Sequence, residues 1–154
     1  MKTYVDTNLL VRLYLQLPGR DEALALINGT DGKLGSPLPL TDLLRLEIGN
    51  AIHRMVFESR TGGPWRVTPE SAALGLAEFE ENIADGILLK RTPLTLADIE
   101  PEFTLLAARF TAKHGFRTYD IIHVASAITM RCRRFLSFDV KAKKLAKLAG
   151  LETN

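Results

Sequence analysis

The sequence predicts an α/β fold, a mainly parallel sheet with helices on both faces, and three observations carry that prediction. Short apolar runs at residues 3–6, 36–40, 87–89 and 135–138 alternate with longer stretches whose apolar residues recur at helical spacing. Strands that alternate with helices pack most simply as parallel neighbours joined by helical crossovers. The 154 residues, 46% hydrophobic and 25% charged, supply one sizeable core without a composition shift or internal repeat, so residues 1–154 are read as a single globular domain.

The first run, with Tyr4 and Val5, suits a central strand and ends at Asp6. Thr7 and Asn8 interrupt it, and Leu9, Leu10, Leu13 and Tyr14 resume at helical spacing until Pro18 and Gly19, which places Asp6 at a strand-to-helix junction. Residues 21–28 form a short helix around Ala23, Leu24 and Ile27, closed by Gly29 and followed by a turn through Asp31 and Gly32. An extended piece over 36–40, interrupted by Pro37 and Pro39, leads to Thr41 or Asp42 as the cap of the clearest helix in the chain. There Leu44, Ile48, Ala51, Ile52 and Met55 recur at three and four residue intervals; Glu47 lies close to that stripe, while Arg45, Arg54 and Glu58 face water.

Gly62, Gly63 and Pro64 then make a connection, with Trp65 as a packing anchor or substrate contact. Thr68 and Pro69 open a helix whose apolar face is Ala72, Ala73, Leu76, Phe79 and Ile83, ending before Gly86. Residues 87–89 read as a strand stopped by Thr92 and Pro93. Residues 95–113 are helical, with a bend or second start near Pro101, and His114 and Gly115 close them. Asp120 leads a helix through Ile121, Val124, Ala125 and Ile128; residues 135–138 form a strand ending at Asp139; and Ala142, Leu145, Ala146, Leu148 and Ala149 make a basic amphipathic helix stopped by Gly150.

A single cysteine, Cys132, excludes an internal disulfide framework and cysteine-based zinc clusters, and fits a reducing cytosol. Asp6 and Arg12 break any signal-peptide core, and no stretch approaches the roughly 20 apolar residues of a membrane span. A cytoplasmic protein without membrane attachment is expected. Net charge is only +2, but Arg131, Arg133, Arg134, Lys141, Lys143, Lys144 and Lys147 crowd the last quarter with Asp139 the sole acid among them. That distribution suits nucleic acid as well as a solvated helix.

Four acids, Asp6, Glu47, Asp120 and Asp139, stand at the ends of core elements or beside a buried stripe. Desolvated carboxylates cost free energy and repel one another, and a hard divalent cation removes both penalties. Oxygen ligands with no cysteine and little histidine suit Mg²⁺ or Mn²⁺ rather than zinc. In open parallel sheets ligands bind outside the carboxyl ends of the strands, where Asp6, Asp120 and Asp139 are expected, with Glu47 reaching them from its helix; at least three of the four carboxyls should converge. Each aspartate also has a plainer role as a helix N-cap.

The run Tyr4, Val5, Asp6, Thr7 and Asn8, then Leu46 and Glu47 inside a helix, then Tyr119, Asp120, Ile121, Ile122, His123, Val124 and Ala125 with Ala127, and last Leu136, Ser137, Phe138 and Asp139 ahead of a basic helix, resembles the PIN-domain ribonucleases. Among them it is most similar to the VapC toxins of type II toxin–antitoxin pairs, along nearly the whole chain. The resemblance implies an α/β/α three-layer sandwich with a mainly parallel central sheet, and Mg²⁺- or Mn²⁺-dependent endoribonuclease activity that leaves 3′-hydroxyl and 5′-phosphate ends. It makes Asp6, Glu47 and Asp120 the three acids of active members and Asp139 the fourth, all four acting as metal ligands and catalytic groups. It gives Thr7 or Asn8 the task of steadying the first acid or contacting a metal-bound water, and Ser137 a supporting role.

His123, one turn after Asp120, is either a contact behind the ligands or a packing residue. The expected substrate is single-stranded or looped RNA, with Arg12, Arg117, Arg134, Lys141 and Lys144 offsetting phosphate charge. Similar proteins form homodimers and bind a small cognate antitoxin, for which the early helices with Leu13, Leu24 and Leu44 offer apolar surface. Three other readings stay open: a structure-specific DNA nuclease using the same acids, an RNA-processing nuclease without a toxin role, and a catalytically silent RNA-binding module. A phosphoacceptor receiver domain fits poorly, because it needs paired acids near the N-terminus where Asp6 stands with none beside it.

Overall fold

The computed structural model describes residues 2–29 and 35–154, so the turn expected at Asp31 and Gly32 lies outside the described residues. The chain divides into two compact units, one made of Met1–Asp6 with Pro93–Asn154 and one of Thr7–Thr92. In chain order, β1 (Thr3–Val5) opens the first unit. The second unit holds α1 (Thr7–Tyr14), α2 (Arg20–Asn28), β2 (Leu38–Leu40), α3 (Asp42–Arg60), α4 (Pro69–Asp85) and β3 (Leu89–Arg91). The first unit continues with α5 (Leu96–Leu106), α6 (Ala112–His114), α7 (Thr118–Thr129), β4 (Arg134–Leu136), α8 (Val140–Leu148) and β5 (Glu152–Thr153). The class is the expected α/β/α sandwich, and every strand pairing among the described residues is parallel.

In the first unit the strands run in the order β1, β4, β5. Tyr4 faces Phe135 across the ladder and Val5 faces Leu136, and all four side chains are buried. The helix α5 packs on α7, α7 on α8, and α8 on β4 and β5. Apolar periodicity explains the packing: Ile121, Val124 and Ala125 of α7 and Ala142, Leu145 and Ala146 of α8 are almost wholly enclosed. The predicted strand over 135–138 is shifted, because the Ser137 N–H is taken by the Asn154 Oδ1 at 3.1 Å rather than by a neighbouring strand. The short strand β5 was not expected; two residues are too few to show a period.

No second helix start occurs at Pro101, and α5 continues unbroken through it. The carbonyl that Pro101 leaves without an N–H belongs to exposed Ala97, where water can satisfy it. The irregularity comes later, as a π-helical turn over Ala107–Thr111, and Gly115 ends the segment with φ 65°.

In the second unit α1 packs on α2, α3 and α4, and β2 pairs with β3. Thr41 caps α3 by accepting the Leu44 N–H at 3.2 Å, and Leu44, Ile48 and Ile52 then bury one face. Thr68 and Ser71 form a reciprocal capping box at the start of α4, with Pro69 in its first turn. Gly75 permits a close crossing, since a Cβ there would lie 2.8 Å from the Tyr14 carbonyl oxygen. The strand expected at 87–89 begins instead at Leu89, because the Asp85 carboxylate captures the Ile87 N–H at 2.8 Å and leaves Ile87 exposed. Leu13 and Leu44 belong to the core rather than to a free surface; among the described residues of this unit the large apolar side chains left exposed include Leu46, Phe57, Leu74 and Ile87.

Candidate functional site

Asp6 follows the last residue of β1 and is buried, with 6% of its surface exposed. Its backbone N–H donates to the Leu136 carbonyl at 2.9 Å, extending the β1–β4 ladder by one residue and fixing where the side chain emerges. Ser137 and His123 flank the carboxylate. The Ser137 Oγ donates to Asp6 Oδ2 at 2.7 Å, and the His123 Nε2 lies 3.6 Å from Asp6 Oδ1. The same Ser137 Oγ accepts the Asp139 N–H at 2.9 Å, so one fully buried hydroxyl joins Asp6 to the backbone of Asp139.

Asp120 and Asp139 both perform the capping role that the sequence left open, at different positions. Asp139 is the N-cap of α8, its Oδ1 accepting the N–H groups of Lys141 at 2.7 Å and Ala142 at 2.9 Å. Asp120 is not the N-cap but the third residue of α7, three positions past the cap Arg117, and its Oδ2 accepts the Arg117 N–H at 3.0 Å. Each cap engages one carboxylate oxygen, and an ionised carboxylate can accept at both. On α7, His123 is one turn beyond Asp120 and nearly sealed from solvent. Its Nδ1 is hydrogen-bonded to the Tyr4 hydroxyl at 2.8 Å.

Glu47 belongs to the second unit, half-buried on α3, where its Oε2 accepts the Thr7 hydroxyl at 2.9 Å. Thr7 therefore steadies Glu47, and Asn8 follows it in the first turn of α1. Farther along α1 the Arg12 guanidinium lies over the Trp65 ring, 5.5 Å from its centroid, which gives Trp65 a packing partner. Among the basic candidates of the first unit, Lys141 and Lys144 are exposed on α8, Arg117 is exposed at the start of α7, and Arg134 is half-buried at the start of β4. The same cations act on His114: desolvation, then Lys144 and Lys113, hold its imidazole below the usual histidine range, favouring its neutral form.

Among the described residues no group of three or more histidine, cysteine, aspartate or glutamate side chains is gathered so as to hold a metal ion. Each acid of the first unit has a local partner: Ser137 holds Asp6, the Arg117 N–H holds Asp120, and the first turn of α8 holds Asp139. The donor chemistry still fits a hard cation, because Asp6, Asp120 and Asp139 offer only oxygens and each cap leaves one carboxylate oxygen outside its helix.

A family model described as PIN domain matches residues 3–148. The chain belongs to the PIN-domain family. Among solved structures it is similar to VapBC2 from Rickettsia felis, crystallised bound to a DNA fragment from their promoter, with a TM-score of 0.64 and 12% identity over 100% of this chain and 98% of that one. At that identity the likeness speaks for the fold. No curated protein matches the sequence. No helix among the described residues of this PIN domain is long and apolar enough to cross a membrane. The sequence offered His123 as a contact behind the ligands or a packing residue and Tyr4 only as a strand residue; the two-residue spacing of Tyr4 and Asp6 along the extended chain was the available signal.

Proposed function

We propose that this PIN-domain protein is a metal-dependent endoribonuclease that hydrolyses RNA phosphodiester bonds, with Asp6, Glu47, Asp120 and Asp139 as its metal-binding and catalytic acids. The observation that carries the reading is a buried carboxylate, Asp6, at the carboxyl end of a parallel strand, tied through Ser137 to the end of the adjacent strand where Asp139 begins a helix. A charge buried in that position is ordinarily paired or bound to a cation. When bound, Mg²⁺ or Mn²⁺ would lower the pKa of a water and neutralise charge on the departing oxygen.

The chain's own residues have definite tasks in this reading. Ser137 keeps Asp6 oriented and, by donating, favours its ionised form. Asp120 and Asp139 are placed by their helix starts, with Arg117 and Lys141 on the same first turns to meet phosphate. Lys144, Arg134 and Arg12 extend the positive field along a single-stranded or looped RNA. Ser137, Thr7 and Asn8 support the acids rather than react.

The same proposal makes the protein the cytoplasmic toxin of a toxin–antitoxin pair, a homodimer covered by a small cognate antitoxin. Its supports are the fold shared with VapBC2 and an apolar groove of about 350 Å³ on the second unit, lined by Val56, Phe57, Ala72 and Leu76, with Leu46 and Leu74 exposed on the same two helices.

The test is to incubate the purified protein and its Asp6→Ala variant with a structured RNA pool in Mg²⁺, Mn²⁺ or EDTA, with a DNA pool in parallel, and to map the cut ends. Cation-dependent cleavage of RNA leaving 5′-phosphates, lost in Asp6→Ala, is expected. Cleavage that survives both EDTA and the substitution overturns the reading, preference for DNA transfers it to a DNA nuclease, and RNA binding without cleavage reduces it to a binding module.

A further inference from the structure

The buried pair Tyr4 and His123 plays no part in the chemistry described so far, yet it lies directly behind Asp6. Asp6 stands just past β1, two residues after Tyr4, and its N–H continues the ladder to the Leu136 carbonyl, so the extended chain's period of two turns both toward one face. The Tyr4 ring is stacked on Phe135 of the neighbouring strand, centroids 5.6 Å apart and planes within 8°, which leaves its hydroxyl little freedom. That hydroxyl meets the His123 Nδ1 at 2.8 Å, and the far ring nitrogen, Nε2, faces Asp6 Oδ1 at 3.6 Å. All three residues are buried, with Tyr4 1%, His123 4% and Asp6 6% exposed.

A histidine ring has one free torsion that decides which atoms face which neighbour, and a hydrogen bond at one nitrogen fixes both the ring plane and the role of the other nitrogen. In the tautomer that accepts the Tyr4 hydroxyl at Nδ1, the proton resides on Nε2, the nitrogen that faces Asp6. The Asp6 carboxylate then has the Ser137 Oγ hydrogen-bonded to Oδ2 and the His123 Nε2 facing Oδ1 at 3.6 Å, too long for a hydrogen bond but close enough for the ring to limit how the carboxylate turns.

We infer that His123, held by Tyr4, is a positioning residue that sets the orientation of the Asp6 carboxylate for cation binding. The inference rests on the proposed metal site. His123 acts through Asp6 and touches neither metal nor RNA. Outer partners of this kind typically contribute about 10–100-fold to metal affinity.

The experiment measures Mn²⁺ binding alone, by titration calorimetry on the full chain, for wild type, His123→Leu, His123→Gln and Tyr4→Phe, with thermal melts taken in EDTA. Glutamine can place an amide N–H near where Nε2 stands; leucine fills the space without a donor. His123→Leu is expected to bind Mn²⁺ about tenfold or more weakly, His123→Gln to recover most of that loss, and Tyr4→Phe to fall between. If His123→Leu does not fold, Tyr4→Phe, which removes one oxygen, still decides. Wild-type binding with unchanged or tighter affinity in the variants overturns the positioning role alone. Equal losses in the leucine and glutamine variants also overturn it, since they would report packing. Absence of Mn²⁺ binding by the wild type overturns the metal-site reading and this inference with it.

Discussion

Replacing Ser137 with alanine removes one oxygen that serves two partners, and the structure sets the size of the consequence. The side chain is fully enclosed, at 0% exposure, so water cannot take the place of the lost hydroxyl. Asp6 loses a hydrogen bond of 2.7 Å to a charged acceptor, a class of contact that contributes about 1.5–3 kcal/mol. The Asp139 N–H loses its acceptor at 2.9 Å, a further loss of about 1 kcal/mol. Because the two bonds share one atom they do not add fully, and about 2–4 kcal/mol of destabilisation is expected. Urea unfolding followed by circular dichroism, in EDTA at pH 7, should show a lower midpoint at an unchanged slope. A double-mutant cycle with Asp6→Ala should return a coupling of about 1–3 kcal/mol between the two positions. A loss below about 0.5 kcal/mol for Ser137→Ala, or additivity in the cycle, would refute the view that this hydroxyl ties the two strand ends together.

Two further outcomes follow from the same unit. Asp139→Ala should lower stability by about 1 kcal/mol through loss of the α8 cap, whereas Asp139→Asn should lower it little, because asparagine caps as well as aspartate; urea unfolding distinguishes them, and equal losses would remove the cap from the account. Burial, opposed weakly by Lys2, pushes the Cys132 thiol from 9.0 up to about 11 in the folded chain. Between those two values the unfolded state binds fewer protons than the folded one, so stability falls as pH rises through the window from 9.0 to about 11. Cys132→Ala should flatten that alkaline limb in denaturation midpoints measured across pH, and an unchanged slope would count against a buried neutral thiol.

The fold was legible where residue type and period agree. Leu44, Ile48 and Ile52 announce α3, Thr41 and Thr68 announce their helix starts, and Tyr4 and Val5 announce a core strand. Reading failed where a side chain takes a backbone group, as Asp85 does to Ile87 and Asn154 does to Ser137, because such captures shift strand boundaries without leaving a periodic trace. Pro101 does not start a second helix for another reason: a single missing N–H on an exposed turn does not outweigh the packing of α5 on α7. Of the site, Asp6, Ser137 and Asp139 lie within a dozen residues of strand ends that hydropathy reveals, and their linkage through one hydroxyl follows from the β1–β4 pairing. The Tyr4–His123 contact joins residues 119 apart in sequence, and no local signal encodes a pairing of that separation.

The cap and ligand roles that the sequence posed for Asp120 and Asp139 are compatible when the oxygens are counted. Each aspartate uses one oxygen on its own helix start, Oδ2 at Asp120 and Oδ1 at Asp139, and a carboxylate retains acceptor capacity on the other. Capping therefore fixes where the two carboxylates stand, while a cation would draw on the oxygens that the caps do not use. The two roles separate experimentally at Asp139: asparagine keeps the cap and removes the charge, alanine removes both. If the proposed metal site is right, Mn²⁺ affinity should fall alike in the two variants although only alanine lowers stability, and affinity that tracks stability instead would return Asp139 to a purely structural part.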